Sequence, residues 1–482
     1  MNCKTLMFQG TGSGVGKSLL VAAFCRILAN KGLKVAPFKA QNMSLNATVC
    51  HNGGEISAAQ MLQAKAARII PSVMLNPILL KPMGERKSQL IIMGKFIKNI
   101  DYIEYYKMWK QNFEVVKEAF ESLKKEYEYI IIEGAGSPAE INLQKYDISN
   151  MKIAQYANSP VIIVGDIDKG GIFAAFKGTY DLIEKQYKYL IKGFVINKFR
   201  GNIDLLLPGI EMFNKMIPPK IITVLPMIED LQLDDEDSQF IRSNHNKESK
   251  LKVGIIKLKY MSNFNDFYPL LSIADLSVEY IDSPEKLCHC DLIILPGTKQ
   301  TIADLIYLKN KGFFNKLKEL KGKKWILGIC GGFQIMGSMV IDNAVESNIK
   351  IEEEGLNFFN MVTTFFNEKE VVSKSYTGLG PLANTKIEGY EIHSGNSTLF
   401  EDYTDLLTEK HKLIIDYQSK TIGTYIHGVF NNFDFTKYFL KLLNDYIDVD
   451  IYRFYNTEKE LDKLAHIIEK NCESSFIKSF FN

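Results

Sequence analysis

No apolar run in this chain approaches the ~20 residues that carry a helix across a bilayer, so no membrane role is expected. An excess of one charge is missing too: 58 Lys and Arg stand against 56 Asp and Glu, for a formal net charge of +2. That balance offers no general attraction to nucleic acid or to an anionic membrane surface. Cysteine is scattered and odd in number, with Cys3, Cys25, Cys50, Cys288, Cys290, Cys330 and Cys472 making seven. This argues against a disulfide framework and leads to the expectation of reduced thiols in a cytoplasm. Cys288-His289-Cys290 has no second ligand pair nearby, which argues against zinc. The chain opens directly into a strand-like run, so no signal peptide is expected. Repeats and low-complexity tracts are lacking. What remains is an ordinary globular composition, 46% hydrophobic and 24% charged, over 482 residues. That length suits two or three domains.

The most informative stretch is Trp325 to Gln334, W-I-L-G-I-C-G-G-F-Q. An apolar run ends in Gly328-Ile329-Cys330-Gly331-Gly332, the nucleophile-elbow pattern with cysteine in the serine position. Small neighbours let the backbone turn sharply from strand to helix and lift the side chain out of the sheet. A thiol at the positive end of a helix is activated as a nucleophile, and the Gly331 amide is placed to donate to an oxyanion. The base candidate is His427, in Gly423-Thr424-Tyr425-Ile426-His427-Gly428, read as a strand ending at the histidine. His393, in Gly389-Tyr390-Glu391-Ile392-His393, is the rival. Leu292 to Gly297 is a buried-strand pattern running into a Pro-Gly turn, which can supply a second oxyanion amide from Gly297 or Thr298 or serve only as a strand end.

The other end of the chain carries different chemistry. A short strand, Lys4 to Phe8, leads into Gly10-Thr11-Gly12-Ser13-Gly14-Val15-Gly16-Lys17-Ser18 and then a helical run. Glycines here let amides converge on phosphate oxygens at a helix N-terminus. Thr11, Gly14, Val15 and Gly16 form that cradle, Lys17 is placed for the β- and γ-phosphates, and Ser18 for Mg²⁺. Five residues rather than the standard four separate Gly10 from Gly16, so the loop is a variant. Tyr129 to Glu133 reads as a buried strand ending in an acid, the place for a magnesium ligand at Glu133. Asp166 ends another such strand, where it either helps the substrate site or caps a helix.

Strand-like runs alternate with helical ones from Val35 to Leu225 and again from Val253 to Gly328, the mark of parallel sheets. The expected fold class is α/β in two domains. The division is a nucleotide-dependent domain over 1–230, a polar linker over 231–250, a second domain over 251–435, and a helical tail over 436–482.

A cysteine–histidine acyl-transfer site and a triphosphate site in one chain have a joint logic. ATP converts a carboxylate into an acyl phosphate, and a glutaminase releases ammonia to attack it. The chain resembles the cobyric acid synthase family of cobalamin-pathway amidotransferases from about Lys4 to Phe430. The matching motifs are Pro37-Phe38-Lys39-Ala40-Gln41-Asn42-Met43-Ser44-Leu45-Asn46, Glu133-Gly134-Ala135-Gly136-Ser137-Pro138-Ala139-Glu140-Ile141-Asn142-Leu143, Asp166 to Gly171, Asn197 to Gly201, Gly389 to His393, and Gly423 to Gly428. The resemblance implies a dethiobiotin-synthetase-like ATPase domain joined to a class-I-like glutamine amidotransferase domain. It implies Cys330 as nucleophile, His427 as base, Lys39 as a second lysine near the phosphates and Glu133 as the metal-site acid. Gln41, Asn42, Ser44 and Asp166 become substrate candidates. ATP and Mg²⁺, glutamine and a corrinoid, cobyrinic acid a,c-diamide, are the implied ligands, with amidation at the b, d, e and g carboxylates.

The chain departs from the family pattern at Ser57-Ala58, where Gly-Arg is usual, and at Asn202, where an acid is common. Val429 stands where other glutaminases carry the acid of their triad, as in this branch generally, so the group that orients His427 is left open. Two other readings are a sister enzyme that amidates the a and c carboxylates, and a partition-type ATPase switch with a degenerate second domain. Oligomeric state is also left open.

Overall fold

A computed structural model describes residues 3–51, 53–83, 87–228, 231, 233, 249–347, 349–447, 449, 456–472 and 480. The linker expected over 231–250 falls for most of its length outside these residues. The chain is α/β, as its alternating pattern leads one to expect, and is built on two large sheets, with two four-stranded sheets and one two-stranded sheet beside them among the described residues.

The first sheet contains β1 (Lys4–Gly10), β2 (Val35–Phe38), β3 (Tyr129–Glu133), β4 (Val161–Asp166), β5 (Ile191–Phe199) and β6 (Lys220–Pro226), in the order β6-β5-β4-β1-β3-β2. All its pairings are parallel. Its central strands are buried on both faces, which explains their continuous apolar runs. Alternate residues serve opposite cores: Met7, Ile130 and Ile132 pack on one side, and Leu6, Phe8 and Ile131 on the other. The helix α1 (Lys17–Asn30) follows β1 through the phosphate loop, and α2 (Ala58–Ala66) packs beside it.

The second sheet takes β7 (Leu251–Ile256), β8 (Leu276–Ile281), β9 (Leu292–Leu295), β10 (Trp325–Ile329), β11 (Thr404–Asp405), β12 (Leu413–Asp416) and β13 (Thr421–Thr424) in the order β8-β7-β9-β10-β13-β12-β11. Its first five strands are parallel and the last two antiparallel. A short helix α3 (Gly331–Ile335) leaves β10 directly.

Two features lie outside the alternating pattern. A long antiparallel pair, Met361–Thr377 with Lys386–Leu399, carries Tyr390 and Ile392 against Ala47, Val49, Leu79 and Ile91 of the first half. The expected C-terminal tail also divides. Its α4 (Phe433–Leu443) packs on the second sheet, whereas α5 (Thr457–Asn471) returns to the first. There Leu461, Leu464, Ala465 and Ile468 are buried in the core around Phe24 and Ile27 of α1. Each such leucine or isoleucine contributes about 1.5–3 kcal/mol. Buried Arg26 of α1 pairs with Glu458 and Asp462 of α5, each at 2.7 Å.

Candidate functional site

Cys330, Glu133, Asp166 and the phosphate loop sit at or just after the carboxyl ends of strands, where open α/β sheets present their ligand-binding loops. In the second sheet, β10 ends at Ile329 and Cys330 follows with φ 50° and ψ −109°. That left-handed backbone is strained for a residue with a Cβ and marks a true elbow. Gly332 is required next: a Cβ there would lie 2.0 Å from the Leu295 carbonyl oxygen. Cys330 is 6% exposed, and its Sγ lies 3.8 Å from the Ile392 carbonyl oxygen.

His427 is 1% exposed and lies within electrostatic reach of the Cys330 side chain. The strand stops at Thr424, not at the histidine as the sequence suggested; a single bridge to Tyr390 fixes His427 instead. Tyr390 also stacks on the imidazole, with centroids 5.3 Å apart. The orienting group left open by the sequence is Asp266. Its Oδ2 lies 2.7 Å from His427 Nδ1, and its Oδ1 accepts from the Gly428 amide at 2.8 Å. Burial alone would pull the imidazole pKa down, but the Asp266 carboxylate, with the Cys330 side chain, outweighs it and pushes His427 up to about 10. His393 is placed differently. Its Nε2 meets Glu391 at 3.1 Å and its Nδ1 meets the Gly395 carbonyl at 2.9 Å. Glu391 is fully buried and also takes Lys412 and Tyr376. Burial would raise its pKa, but those three partners hold it down at about 2.

The turn after β9 lies against this row. A Cβ on Gly297 would meet His427 Cε1 at 3.0 Å, and one on Gly331 would meet the Thr298 amide nitrogen at 3.0 Å. Gly297, Thr298 and Gly331 thus converge beside the thiol. Asp304 braces the turn, accepting from the amides of Lys259 and Tyr260 and from the Thr298 hydroxyl. Of the Cys-His-Cys triplet, Cys288 is exposed and Cys290 buried.

At the first sheet the loop after β1 wraps onto α1. Gly16 caps that helix at φ 92°, and a Cβ there would meet the Asn197 side chain at 2.3 Å. Buried Lys17 turns back onto the Gly12 carbonyl at 2.9 Å. The Thr11 amide is held by the Val164 carbonyl, and the Val15 carbonyl by Asn197 Nδ2, both at 2.9 Å. Glu133, wholly buried, gathers the neighbouring donors: Ser18 Oγ at 2.9 Å, Lys39 Nζ at 2.8 Å, and Gln63 Nε2. A hydroxyl and a carboxylate converging beside an amide-rich loop suit a hard divalent cation and phosphate.

Asp166 takes the capping role, at the start of the short turn after β4. It accepts from the Asp168 amide at 3.0 Å and pairs with Lys198 at 3.0 Å. Lys198, at φ 60°, also donates to the Gly14 carbonyl at 2.6 Å. Neither Lys198 nor Gln63 stood out as an individual site residue. Among the substrate candidates, Gln41 accepts from the Tyr105 hydroxyl. Asn42 is buried on Gln60 at 2.8 Å, and Ser44 is buried on Asn46. Ser57 accepts from the Ala59 amide at 3.2 Å as the N-cap of α2, and Asn202 accepts from the Asp204 amide at 3.0 Å.

The two halves that carry these candidate centres meet across a seam. Ile392, against which Cys330 rests, packs on the first half. A cavity of about 340 Å³ opens along the seam between Val49, Ala58 and Met61 on one side and Tyr390, Gly428 and Asn431 on the other.

Comparison with known proteins agrees with this division of chemistry. Residues 6–240 match the CobQ/CobB/MinD/ParA nucleotide binding domain, and residues 252–435 match the CobB/CobQ-like glutamine amidotransferase domain. The cobyric acid synthase of Thermoanaerobacter sp. (strain X514) is 40% identical over 97% of this chain and 97% of its own length. That of Clostridium novyi (strain NT) is 41% identical over 100% and 98%. The probable cobyric acid synthase of Methanothermobacter thermautotrophicus is 39% identical over 99% of each. No described helix is long and apolar enough to cross a membrane. The chain belongs to the cobyric acid synthase family of glutamine-hydrolysing amidotransferase ligases.

Proposed function

We propose that the chain amidates the b, d, e and g carboxylates of adenosylcobyrinic acid a,c-diamide, taking nitrogen from glutamine and energy from ATP. The observation that carries this reading is the Asp266–His427–Cys330 row, set against the same seam as the phosphate loop's half of the molecule. Cys330 attacks the glutamine amide while the amides around Gly297, Thr298 and Gly331 hold the oxyanion. His427, steadied by Asp266, gives its proton to the departing nitrogen, and water then clears the thioester. Ammonia crosses the seam, where the 340 Å³ cavity offers room.

In the first half, Gly14, Val15, Gly16 and Thr11 cradle the nucleotide. Lys17 and Lys39 turn to the phosphates, and Ser18 and Glu133 would hold a Mg²⁺ ion, which would supply neutralisation of phosphate charge. The γ-phosphoryl group passes to a corrinoid carboxylate, and ammonia displaces phosphate from the acyl phosphate. We take the division at 1–230, 231–250, 251–435 and 436–482 as the working plan of this machine, with a cytoplasmic setting. Gln41, Asn42, Ser44 and Asp166 shape or line the corrinoid side.

The test is to incubate the chain with ATP, Mg²⁺, the diamide and glutamine labelled with ¹⁵N at its amide. Label at the b, d, e and g positions, with one ADP and one phosphate per amide, is the expected result. Label at a and c, or ATP turnover without amide, would overturn the assignment.

A further inference from the structure

Four charged side chains meet at the seam where no step above uses them. Glu55 begins the strand Glu55–Ser57 in the first half and is 1% exposed. Lys81, equally buried, pairs with it at 2.7 Å. Lys369, from the long strand Met361–Thr377 of the second half, pairs with its other oxygen. Lys299 completes the cluster, close to Lys81, Lys369 and Glu55. It directly follows Thr298 on the candidate oxyanion turn. One carboxylate therefore faces three lysines drawn from both halves.

The balance of charge shows which group holds the cluster together. Burial would raise Glu55, but the surrounding lysines outweigh it and hold its carboxyl well below the usual range. Burial and the neighbouring lysines push Lys299 well down, and Lys369 down to about 8 despite Glu55. Glu346 also lies near Lys299, but burial pushes it up to about 8. Glu55 is thus the buried carboxylate on which this junction of lysines converges. Lys369 also lies within electrostatic reach of Cys330. On the other side, Glu55–Ser57 runs straight into α2, whose Gln63 touches Glu133 and the Ser18 carbonyl. A single short segment therefore links the candidate metal-site acid to the candidate oxyanion turn.

We propose that Glu55 is a positioning residue for glutamine hydrolysis: through Lys369 and Lys299 it fixes the turn carrying Thr298 against Cys330, so that the glutaminase is fast only with the first half docked. This rests on the reading of Cys330 as the glutaminase nucleophile. Because Glu55 acts through the turn, its loss lowers kcat for glutamine and leaves the KM and the ammonium-driven reaction largely intact.

The test uses the full chain with E55Q, K369M and the double variant. Glutamate release is measured with and without ATP and diamide, and amide formation is measured from ammonium chloride. The expected result is a fall in glutamine kcat of about tenfold or more for E55Q, with KM within about twofold and ammonium-driven amidation within about twofold. K369M cuts the same bridge, so the double variant is no worse than E55Q alone. Unchanged kcat in E55Q, equal loss with both nitrogen sources, or losses that multiply in the double variant would each overturn the proposal. Should E55Q fail to fold, K369M must show the same loss of kcat with ammonium retained, or the proposal fails. Absence of amide from ammonium in the unaltered chain would overturn the parent reading instead, while the glutamate-release comparison would still decide the role of Glu55.

Discussion

The two candidate centres are prepared for their ligands in opposite ways. Around Cys330 the machinery is already set: a strained elbow, an imidazole fixed by Asp266, and a braced turn beside it. Around Lys17 the polar groups are occupied by partners within the protein. Lys17 rests on a loop carbonyl, while Ser18 and Lys39 both rest on Glu133. The first arrangement suits a covalent step whose transition-state charge appears at one fixed point. The second suits a ligand that brings its own charge, so that lysines exchange an internal partner for phosphate.

The sharpest way to break this comparison is Cys330→Ala. Glutamine-driven amidation should fall by about 10⁴-fold or more, while the ammonium-driven rate stays within about twofold. Parallel assays of glutamate release and amide formation check it; loss with both nitrogen sources would dissolve the division between centres.

Asp266→Asn should come next, lowering the glutaminase kcat by about 10³–10⁴-fold because the imidazole loses its orienting carboxylate. The same variant makes a statement about stability. His427 has a folded-state pKa of about 10 against an ordinary value near 6.5. A raised pKa stabilises the fold fully below the unfolded value, and the contribution is lost as pH rises through the folded one. The gap between the unaltered chain and Asp266→Asn is therefore widest at pH 6, on the order of 3–5 kcal/mol, and shrinks toward pH 10. Urea unfolding at pH 6, 8 and 10 measures it, and a constant gap would contradict the assignment.

Lys17→Ala reverses the first experiment. It should reduce amidation by about 10²–10³-fold whichever nitrogen source is given, while glutamate release without ATP persists. Equilibrium binding of a nucleotide analogue should weaken in step.

How far these residues could be read from sequence depends on how local their physics is. The phosphate loop and the elbow are short, because each is a turn between one strand and the next helix, and spacing alone carries them. His427 stands out because a strand-like run leads toward it, although the strand itself stops at Thr424, and the family resemblance gives it the role of base. Asp266 was not legible: it lies 161 residues before His427 and precedes it in the chain, where no local pattern ties the two. The Glu55–Lys369 contact spans 314 residues and arises only when the halves dock. The tail likewise reads as an amphipathic helix, but which core receives Leu461 and Leu464 is decided by tertiary packing.

That last contact gives the smallest effect, and it bears on what supports the helix that follows the phosphate loop. The helix α1 starts at the phosphate loop, and its buried Arg26 is neutralised from outside the first sheet, by α5. Asp462→Ala removes one of the two carboxylates and leaves Glu458. Both partners are about half exposed, with side-chain values of 51% and 57%, so water screens the pair. The expected cost is about 0.5–1 kcal/mol, seen as a small drop in Tm with no change in glutamate release. Leu461→Ala, by contrast, opens a cavity in the shared core and should cost about 2–5 kcal/mol. If the two variants destabilise equally, the ion pair rather than the apolar face holds the tail to α1, and the phosphate loop's support would be electrostatic and sensitive to salt.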